Sequence, residues 1–229
     1  MSRSTLIYFF RAFTLVLVIA LPGLLAAQDR VESDSSRYKY LPTGIRIGTD
    51  LMTIGKRYYT DYFRGWEVNV DADVLRRYYV TADYGHWAST FALPNGVYGN
   101  DGKYFRLGVD INFLVKDPDR NMFFLGFRHA ISRYTDYADY SYVDPYFGEV
   151  HTYTANANPK AHWEELTLGL RVKIWKFIWL GATGRLKFRM VGKDQWNVLS
   201  YEVPGYGRTF KNNWWGLNYQ LFVRIPVRE

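Results

Sequence analysis

The chain has 229 residues, with 29 Lys and Arg against 22 Asp and Glu and no Cys, which is enough for one ordinary domain. The absence of Cys excludes a disulfide framework, a lipoprotein attachment site and thiolate metal ligands. The formal net charge is +7 without a long basic block, so we expect no nucleic-acid partner and anionic lipid head groups as the counter-charge.

The N-terminus has the pattern of a secretory signal peptide. Arg3 and Arg11 flank the start of an apolar run over 13–25, which ends in Ala26-Ala27 before polar residues. The run is short for a spanning helix and small residues follow it, which favours cleavage over a permanent membrane anchor. The predicted regions are a signal peptide over 1–27, a polar lead-in over 28–43 and a β-barrel over 44–229.

After the lead-in, eight segments alternate between apolar and polar residues with a period of two, which is typical of β-strands. Most are about as long as a tilted membrane-spanning strand, and no helical periodicity is evident. In chain order the predicted strands are Gly44–Thr53, Trp66–Asp73, Tyr78–Trp87, Tyr104–Val115, Met122–Tyr134, His162–Ile174, Ile178–Met190 and Trp215–Arg224.

The connections between these strands alternate between long and short. Outer-membrane barrels have long extracellular loops and short periplasmic turns. The order therefore predicts a barrel in the outer membrane of a Gram-negative bacterium, with both termini in the periplasm. A soluble periplasmic barrel is the alternative. The long connections are 54–65, 88–103, 135–161 and 191–213, and the short ones are 74–77, 116–121 and 175–177.

Glycine indicates which strand face points inward. Seven glycines, each in a different strand, lie on the polar face. If this face met solvent, the glycines would weaken the strands without benefit, whereas inside a narrow barrel they make room for other side chains. The predicted fold is therefore all-β: an eight-stranded antiparallel transmembrane β-barrel with a polar interior. The glycines are Gly48, Gly85, Gly108, Gly126, Gly169, Gly181 and Gly216.

The predicted interior carries charges of both signs. A buried charge without a partner is costly, so we expect these side chains to pair and to fill the lumen as a structural charge network. A narrow channel through the lumen is the alternative. The network is predicted to contain Arg46, Asp50, Glu67, Asp71, Asp83, Arg106, Asp110, Arg128, Glu165, Arg171 and Arg185.

Four histidines, His86, His129, His151 and His162, are predicted to lie at the extracellular end. With Ser89 or Ser132, and Asp83 or Glu164 as orienting acid, a histidine could activate a nucleophile. However, no GxSxG or HExxH motif occurs, and no two histidines have metal-ligand spacing. We expect no catalytic residue, metal or cofactor. An outer-membrane enzyme acting on lipid or peptide at the extracellular rim is the alternative.

Two connections have an unusual composition. Alternating Tyr and Asp over 134–144 indicate a strand extension above the membrane, with a ligand site as the alternative. Pro204-Gly205-Tyr206-Gly207 has the composition of a tight turn, with a binding loop as the alternative.

Five stretches of the chain resemble a family of small bacterial outer-membrane barrel proteins known only as a domain of unknown function. The resemblance extends from about Leu41 to Pro226 and implies a barrel fold and secretion, but no catalytic residues. The most favoured role is a structural or interaction component, with outer-membrane lipid and an unidentified protein as partners. The stretches are Gly44–Leu51, Asp101–Asn112, Phe124–His129, Trp163–Arg171 and Pro204–Arg208.

Overall fold

A computed structural model describes residues 44–75, 77–192, 200–211 and 213–227. The predicted signal peptide and polar lead-in lie outside these residues. The described elements are β1 (Gly44–Asp50), α1 (Leu51–Tyr59), β2 (Phe63–Leu75), β3 (Tyr78–Leu93), β4 (Gly96–Asn112), β5 (Met122–Asp144), β6 (Gly148–Asn156), β7 (Lys160–Trp175), β8 (Ile178–Val191), β9 (Glu202–Val203), β10 (Gly207–Arg208) and β11 (Trp214–Pro226).

Eight of the described strands close into a barrel. Antiparallel neighbours follow the order β1-β2-β3-β4-β5-β7-β8-β11, and β11 pairs back onto β1 through the register Gly44↔Pro226 to Asp50↔Gln220. The seam between β4 and β5 runs from Gly96↔Tyr140 to Asn112↔Phe124. The predicted eight-stranded antiparallel barrel is confirmed.

The two ends of the barrel differ in their connections. At one end, the turn end, residues 176–177 join β7 to β8 and residues 113–121 join β4 to β5. At the other end, the loop end, lie α1, the β5–β6 hairpin and the connection from β8 to β11. The grouping of the connections by end agrees with the prediction, although the β3–β4 turn of residues 94–95 at the loop end is shorter than the β4–β5 connection of residues 113–121 at the turn end.

The prediction of long loops over 88–103 and 135–161 was wrong in detail, because most of these residues continue the strands. β3 and β4 extend to a tight turn at residues 94–95. β5 pairs with β7 up to Arg133 and then, from Asp136, with β6. The strand extension predicted from the Tyr–Asp alternation is confirmed.

Helix α1 was not predicted, and β1 ends at Asp50 instead of Thr53. The Asp50 carboxylate accepts hydrogen bonds from the backbone N–H groups of Met52 (3.2 Å) and Thr53 (3.3 Å), which caps the helix. No residue of α1 is fully buried, and its nine residues are shorter than the stretch over which helical periodicity can be recognised in a sequence. Within the described ranges, no helix is both long and apolar enough to cross a membrane.

The barrel wall has the inverse polarity of a soluble domain. Outward side chains such as Leu107 and Phe127 are 51% and 50% exposed, whereas their inward neighbours Arg106 and Arg128 are 3% and 2% exposed. A soluble protein buries its large apolar residues and almost never buries so many charges. An apolar band facing outward around a polar interior is the arrangement of membrane barrels.

Gly108 tests how tightly the interior is packed. A Cβ atom at this position would collide with the Phe127 carbonyl oxygen and the Arg128 side chain. Gly108→Ala is therefore expected to lower the free energy of unfolding by about 1–3 kcal/mol, measured by urea titration in lipid vesicles. Gly184→Ala is the matched control, because the nearest atom to its Cβ would be the Leu168 carbonyl oxygen at 3.7 Å. Equal losses in the two variants would contradict the assignment of faces.

Candidate functional site: the barrel interior and its loop-end rim

All eleven residues of the predicted charge network point inward and are at most 3% exposed. The structure joins ten of them, five arginines and five carboxylates, through an unbroken series of ion pairs. The formal charge of this connected group is zero. These ten buried charges therefore neutralise one another.

Near the turn end, Asp71 bridges two arginines. Its Oδ1 lies 2.7 Å from Arg46 Nε and its Oδ2 lies 2.6 Å from Arg171 Nη1. Arg171 also approaches Asp110 at 3.4 Å, and Asp110 pairs with Arg128 at 3.1 Å. These contacts link β1, β2, β4, β5 and β7 across the barrel interior.

Asp83 lies at the centre of the network. Its carboxylate is 3.1 Å from Arg185, 3.6 Å from Arg128 and 3.8 Å from Arg106. Asn69 Nδ2 donates a further hydrogen bond of 2.8 Å to this carboxylate. One acid thus holds three guanidinium groups that would otherwise repel one another.

Towards the loop end, Glu67 and Glu165 hold Arg106 from two sides. Arg106 Nη1 lies 2.8 Å from Glu67 Oε2, and its Nε lies 3.0 Å from Glu165 Oε1. Arg185 also reaches Glu165, at 3.0 Å. The Tyr104 hydroxyl donates to Glu67 at 2.6 Å. Both carboxylates therefore have charged and neutral donors.

Asp50 is the exception among the predicted network residues. It is buried, but no ion pair within the described residues joins it to an arginine or lysine. Besides capping α1, its carboxylate accepts from Asn218 Nδ2 at 2.8 Å and from the Tyr219 backbone N–H at 3.1 Å. The helix that begins at Leu51 uses this buried acid as its cap, and hydrogen bonds hold the carboxylate in place of an ion pair among the described residues.

The segment 200–211 folds into the mouth of the barrel. The Gly205 carbonyl accepts hydrogen bonds from Arg106 Nη2 (3.1 Å) and Lys187 Nζ (2.7 Å), and the Tyr206 carbonyl accepts from Lys187 Nζ (3.0 Å). The Tyr206 ring is fully buried and packs edge-on against Trp163, with ring centroids 5.6 Å apart. The inserted segment thus covers the charge network at the loop end of the barrel.

Glu202 anchors the inserted segment to the barrel wall. Its Oε2 accepts from Ser89 Oγ at 2.7 Å, and its backbone carbonyl accepts from Asn100 Nδ2 at 3.1 Å. Tyr98, whose hydroxyl donates to Asp136 at 2.8 Å, lies 3.3 Å from both the N and O atoms of Glu202. These contacts tie the segment to β3, β4 and β5.

The prediction of a plain tight turn at 204–207 missed this insertion. The turn geometry itself is present, since Gly205 (φ +81°) and Gly207 (φ +111°) have left-handed backbones that favour glycine. The inward direction depends on Arg106 and Lys187, which are distant in sequence, so local composition carried no signal for it.

Lys56 connects α1 to the same mouth. Its ammonium group lies 4.0 Å from the centre of the Phe63 ring and 5.0 Å from that of Trp87. Burial lowers the pKa of Lys56, and the negative charge of Glu202 partly opposes the shift. A cation over aromatic faces stabilises this contact between helix and rim.

The histidines lie on the outer surface of the loop-end half. His86 Nε2 is 2.9 Å from Asp101, His129 Nδ1 is 3.0 Å from Glu164, and His162 stacks on His129 with ring centroids 5.9 Å apart. On the β5–β6 hairpin, His151 Nε2 is 2.7 Å from Asp139.

The structure separates these histidines from the candidate serines. Ser132 is fully buried inside the barrel and donates to the Lys103 carbonyl, and Ser89 faces the interior at Glu202. Asp83 belongs to the buried ion-pair network. His129 and Glu164 therefore form a pair without a serine. In the described ranges, no three His, Asp or Glu side chains form a cluster able to hold a metal ion.

The anchoring role of Glu202 gives a local test. Glu202→Ala removes the acceptor of the Ser89 hydroxyl, and we expect trypsin cleavage at Arg208 and Lys211 to become about tenfold faster while the barrel stays folded. Glu149→Ala, on the exposed β5–β6 hairpin, is the control. Unchanged cleavage in Glu202→Ala would show that the segment is held by other contacts.

Of the comparisons with known proteins, the match to a family supports the resemblance found in the sequence. No curated protein matches this sequence. Among solved structures, the chain is similar to the crystal structure of the N-terminal β-barrel domain of Pseudomonas aeruginosa OprF. That similarity has 7% sequence identity and a TM-score of 0.36, and covers 80% of this chain and 98% of that one. Residues 5–229 match the family DUF6048, described as a domain of unknown function, and the chain belongs to this family.

Proposed function

We propose that the protein is an outer-membrane β-barrel with a closed lumen, which serves as a structural or interaction component. The observation that carries the proposal is the inverted polarity of the barrel, with charges paired inside and an apolar wall outside. This polarity is stable where the surroundings of the wall are lipid.

The apolar wall supports insertion in a bilayer. Along β7, Leu166, Leu168, Leu170 and Val172 all point outward and are between 38% and 44% exposed. The neighbouring outward residues on β5 and β8 include Leu125 and Leu180, which continue the band around the barrel. In water this band would be an exposed apolar patch of the kind that drives association.

The paired interior supports a closed lumen rather than a channel. The ion pairs connect strands on opposite sides of the barrel, and the segment 200–211 covers them at the loop end. An eight-stranded barrel has an interior just wide enough for its side chains.

Conductance of the purified protein in planar lipid bilayers tests closure. We expect no steady single-channel steps, because moving an ion through the lumen requires separation of buried ion pairs. Stable steps in the wild-type protein, absent from protein-free bilayers, would overturn the closed lumen and favour the narrow channel.

The β5–β6 hairpin supports a role in interaction. Near its tip, Val143, Tyr146 and Phe147 are 78%, 92% and 84% exposed. Exposed apolar side chains at the end of a long projection are typical of contact surfaces. A photo-crosslinking residue at position 147 is expected to capture a specific protein on intact cells, whereas one at Lys176, on the turn end, should not capture it. Identical capture from both positions would contradict a hairpin interface.

We propose a non-catalytic role, because His129 and His162 lie outside the wall whereas Ser89 and Ser132 lie inside it. A nucleophile and its base must approach within hydrogen-bond reach, and these four side chains are on opposite faces of the sheet.

A further inference from the structure

A row of basic residues crosses the outer wall at the loop-end margin of the apolar band. The strand register places His86 opposite Lys103, Lys103 opposite Arg133, and Arg133 opposite Lys160. The side chains of Lys103, Arg133 and Lys160 are exposed. Four neighbouring strands, β3, β4, β5 and β7, thus contribute one residue each to a continuous basic row.

Like charges directly opposite each other destabilise a pair of strands. Asp101, which also lines this part of the wall, lies 2.9 Å from His86, and Glu164 lies 3.0 Å from His129, so the described contacts of these two carboxylates are with histidines. Within the described residues, no ion pair joins Lys103 or Arg133 to a carboxylate. An anion bound between Lys103 and Arg133 would attract both side chains and offset their mutual repulsion.

The turn end is built differently. There, Lys173 Nζ lies 2.8 Å from Asp119 Oδ1, and Arg120 Nη1 lies 3.5 Å from Asp73 Oδ2. Lys173 and Arg120 therefore have carboxylate partners from the chain itself. The described ion pairs thus include Lys173 and Arg120 but neither Lys103 nor Arg133.

An apolar row adjoins the basic row on the side of the band. Tyr84, Phe105 and Ile131 are paired in register and lie two residues from His86, Lys103 and Arg133 along their strands. Together with Lys103 and Arg133, they line a surface groove of about 500 Å³. Cationic side chains next to an apolar surface match a molecule with an anionic head group and a hydrocarbon tail.

We propose that this groove binds an anionic lipid of the outer leaflet through its phosphate group. Arg133 offers a planar donor fork that matches phosphate geometry, and Lys103 adds a point charge beside it. The acyl chain lies over Phe105 and Ile131, and Lys160 extends the basic row. This site rests on the proposed membrane insertion, because the tail needs the bilayer beside it.

Binding of diphosphorylated lipid A to the full-length protein in detergent micelles tests the site. Native mass spectrometry or fluorescence titration gives the dissociation constant. We expect Lys103→Gln/Arg133→Gln to weaken binding about tenfold or more, and Arg133→Lys, which keeps the charge but loses the donor fork, to weaken it less than the double variant does. The charge-matched control is Arg57→Gln/Lys211→Gln, which removes two cations outside the groove and should leave binding unchanged.

Two further measurements separate the possible outcomes. Wild-type binding should weaken between 50 and about 500 mM NaCl, which tests the charge contact without any variant. Inorganic phosphate at millimolar concentration should not compete, because it lacks the acyl chain. Strong competition by inorganic phosphate would overturn a lipid site in favour of a soluble-anion site.

The proposed site and the proposed membrane barrel can fail separately. If the protein inserts in bilayers but the double variant binds lipid A as tightly as wild type, the site is wrong and the barrel assignment stands. If the wild-type protein does not insert in bilayers at all, both proposals fall.

Discussion

Asp71→Asn is expected to lower the free energy of unfolding by about 3–5 kcal/mol, the range seen when one partner of a buried ion pair is removed. The Asp71 carboxylate is 2% exposed and lies within 2.7 Å of both Arg46 and Arg171. Asparagine keeps the shape but removes the charge, which leaves two buried guanidinium groups with one acid fewer between them. Urea titration of the protein folded in lipid vesicles measures the loss.

Two comparisons show whether burial causes the effect. Asp119→Asn removes an ion pair with Lys173 whose acid is 57% exposed, and should cost less than about 1 kcal/mol. The double variant Asp71→Asn/Arg46→Met removes one of the unpaired cations. It should lose less stability than the sum of the two single variants, with a coupling energy of about 1–3 kcal/mol. Additive losses would contradict a direct interaction between Arg46 and Asp71.

Leu168→Arg places a charge in the middle of the outward wall. Leu168 is 38% exposed and lies between Leu125 of β5 and Gly184 of β8. An arginine near the midplane of a bilayer costs about 2–4 kcal/mol in a transmembrane barrel, so we expect a loss of that size in lipid vesicles. In a soluble barrel, the same exposed position would tolerate arginine with little change.

The matched control is Phe147→Arg at the tip of the β5–β6 hairpin. Phe147 is also a large apolar side chain, but it lies in the turn between β5 and β6, beyond the barrel wall, and is 84% exposed. Its replacement should change the free energy of unfolding by less than about 0.5 kcal/mol. Equal tolerance of arginine at both positions would contradict a lipid environment around Leu168.

The barrel could be predicted from the sequence because its determinants are local. The period of two is a property of each strand alone, as in Trp66, Val68 and Val70, and the number of such segments gave the number of barrel strands. The inward direction of the polar face followed from glycines such as Gly108, whose missing side chain leaves room for Arg128. These features survive in the structure almost unchanged.

The features that the sequence did not reveal depend on contacts between distant residues. Helix α1 has only nine residues, too few to establish a helical period, and its start is defined by the Asp50 cap. The insertion of 200–211 depends on Lys187 and Arg106, which no local pattern connects to Gly205. The composition of this segment predicted a turn but did not indicate that the turn points into the barrel.

The composition of the charge network could be predicted from the sequence, but its individual ion pairs could not. Alternation placed the ten charged residues on inward faces, and electroneutrality required them to pair. Which acid meets which arginine depends on the stagger between strands. Asp71 of β2 reaches Arg171 of β7 across the interior, a contact that neither sequence separation nor strand order indicates.

Outer-membrane fractionation combined with heat-dependent gel mobility tests the central claim most directly. A closed transmembrane barrel is expected in the outer-membrane fraction, with an unboiled sample that migrates differently from a boiled one because the barrel stays folded in detergent. Recovery of the protein in the soluble periplasmic fraction, with no mobility shift on boiling, would contradict the inserted barrel.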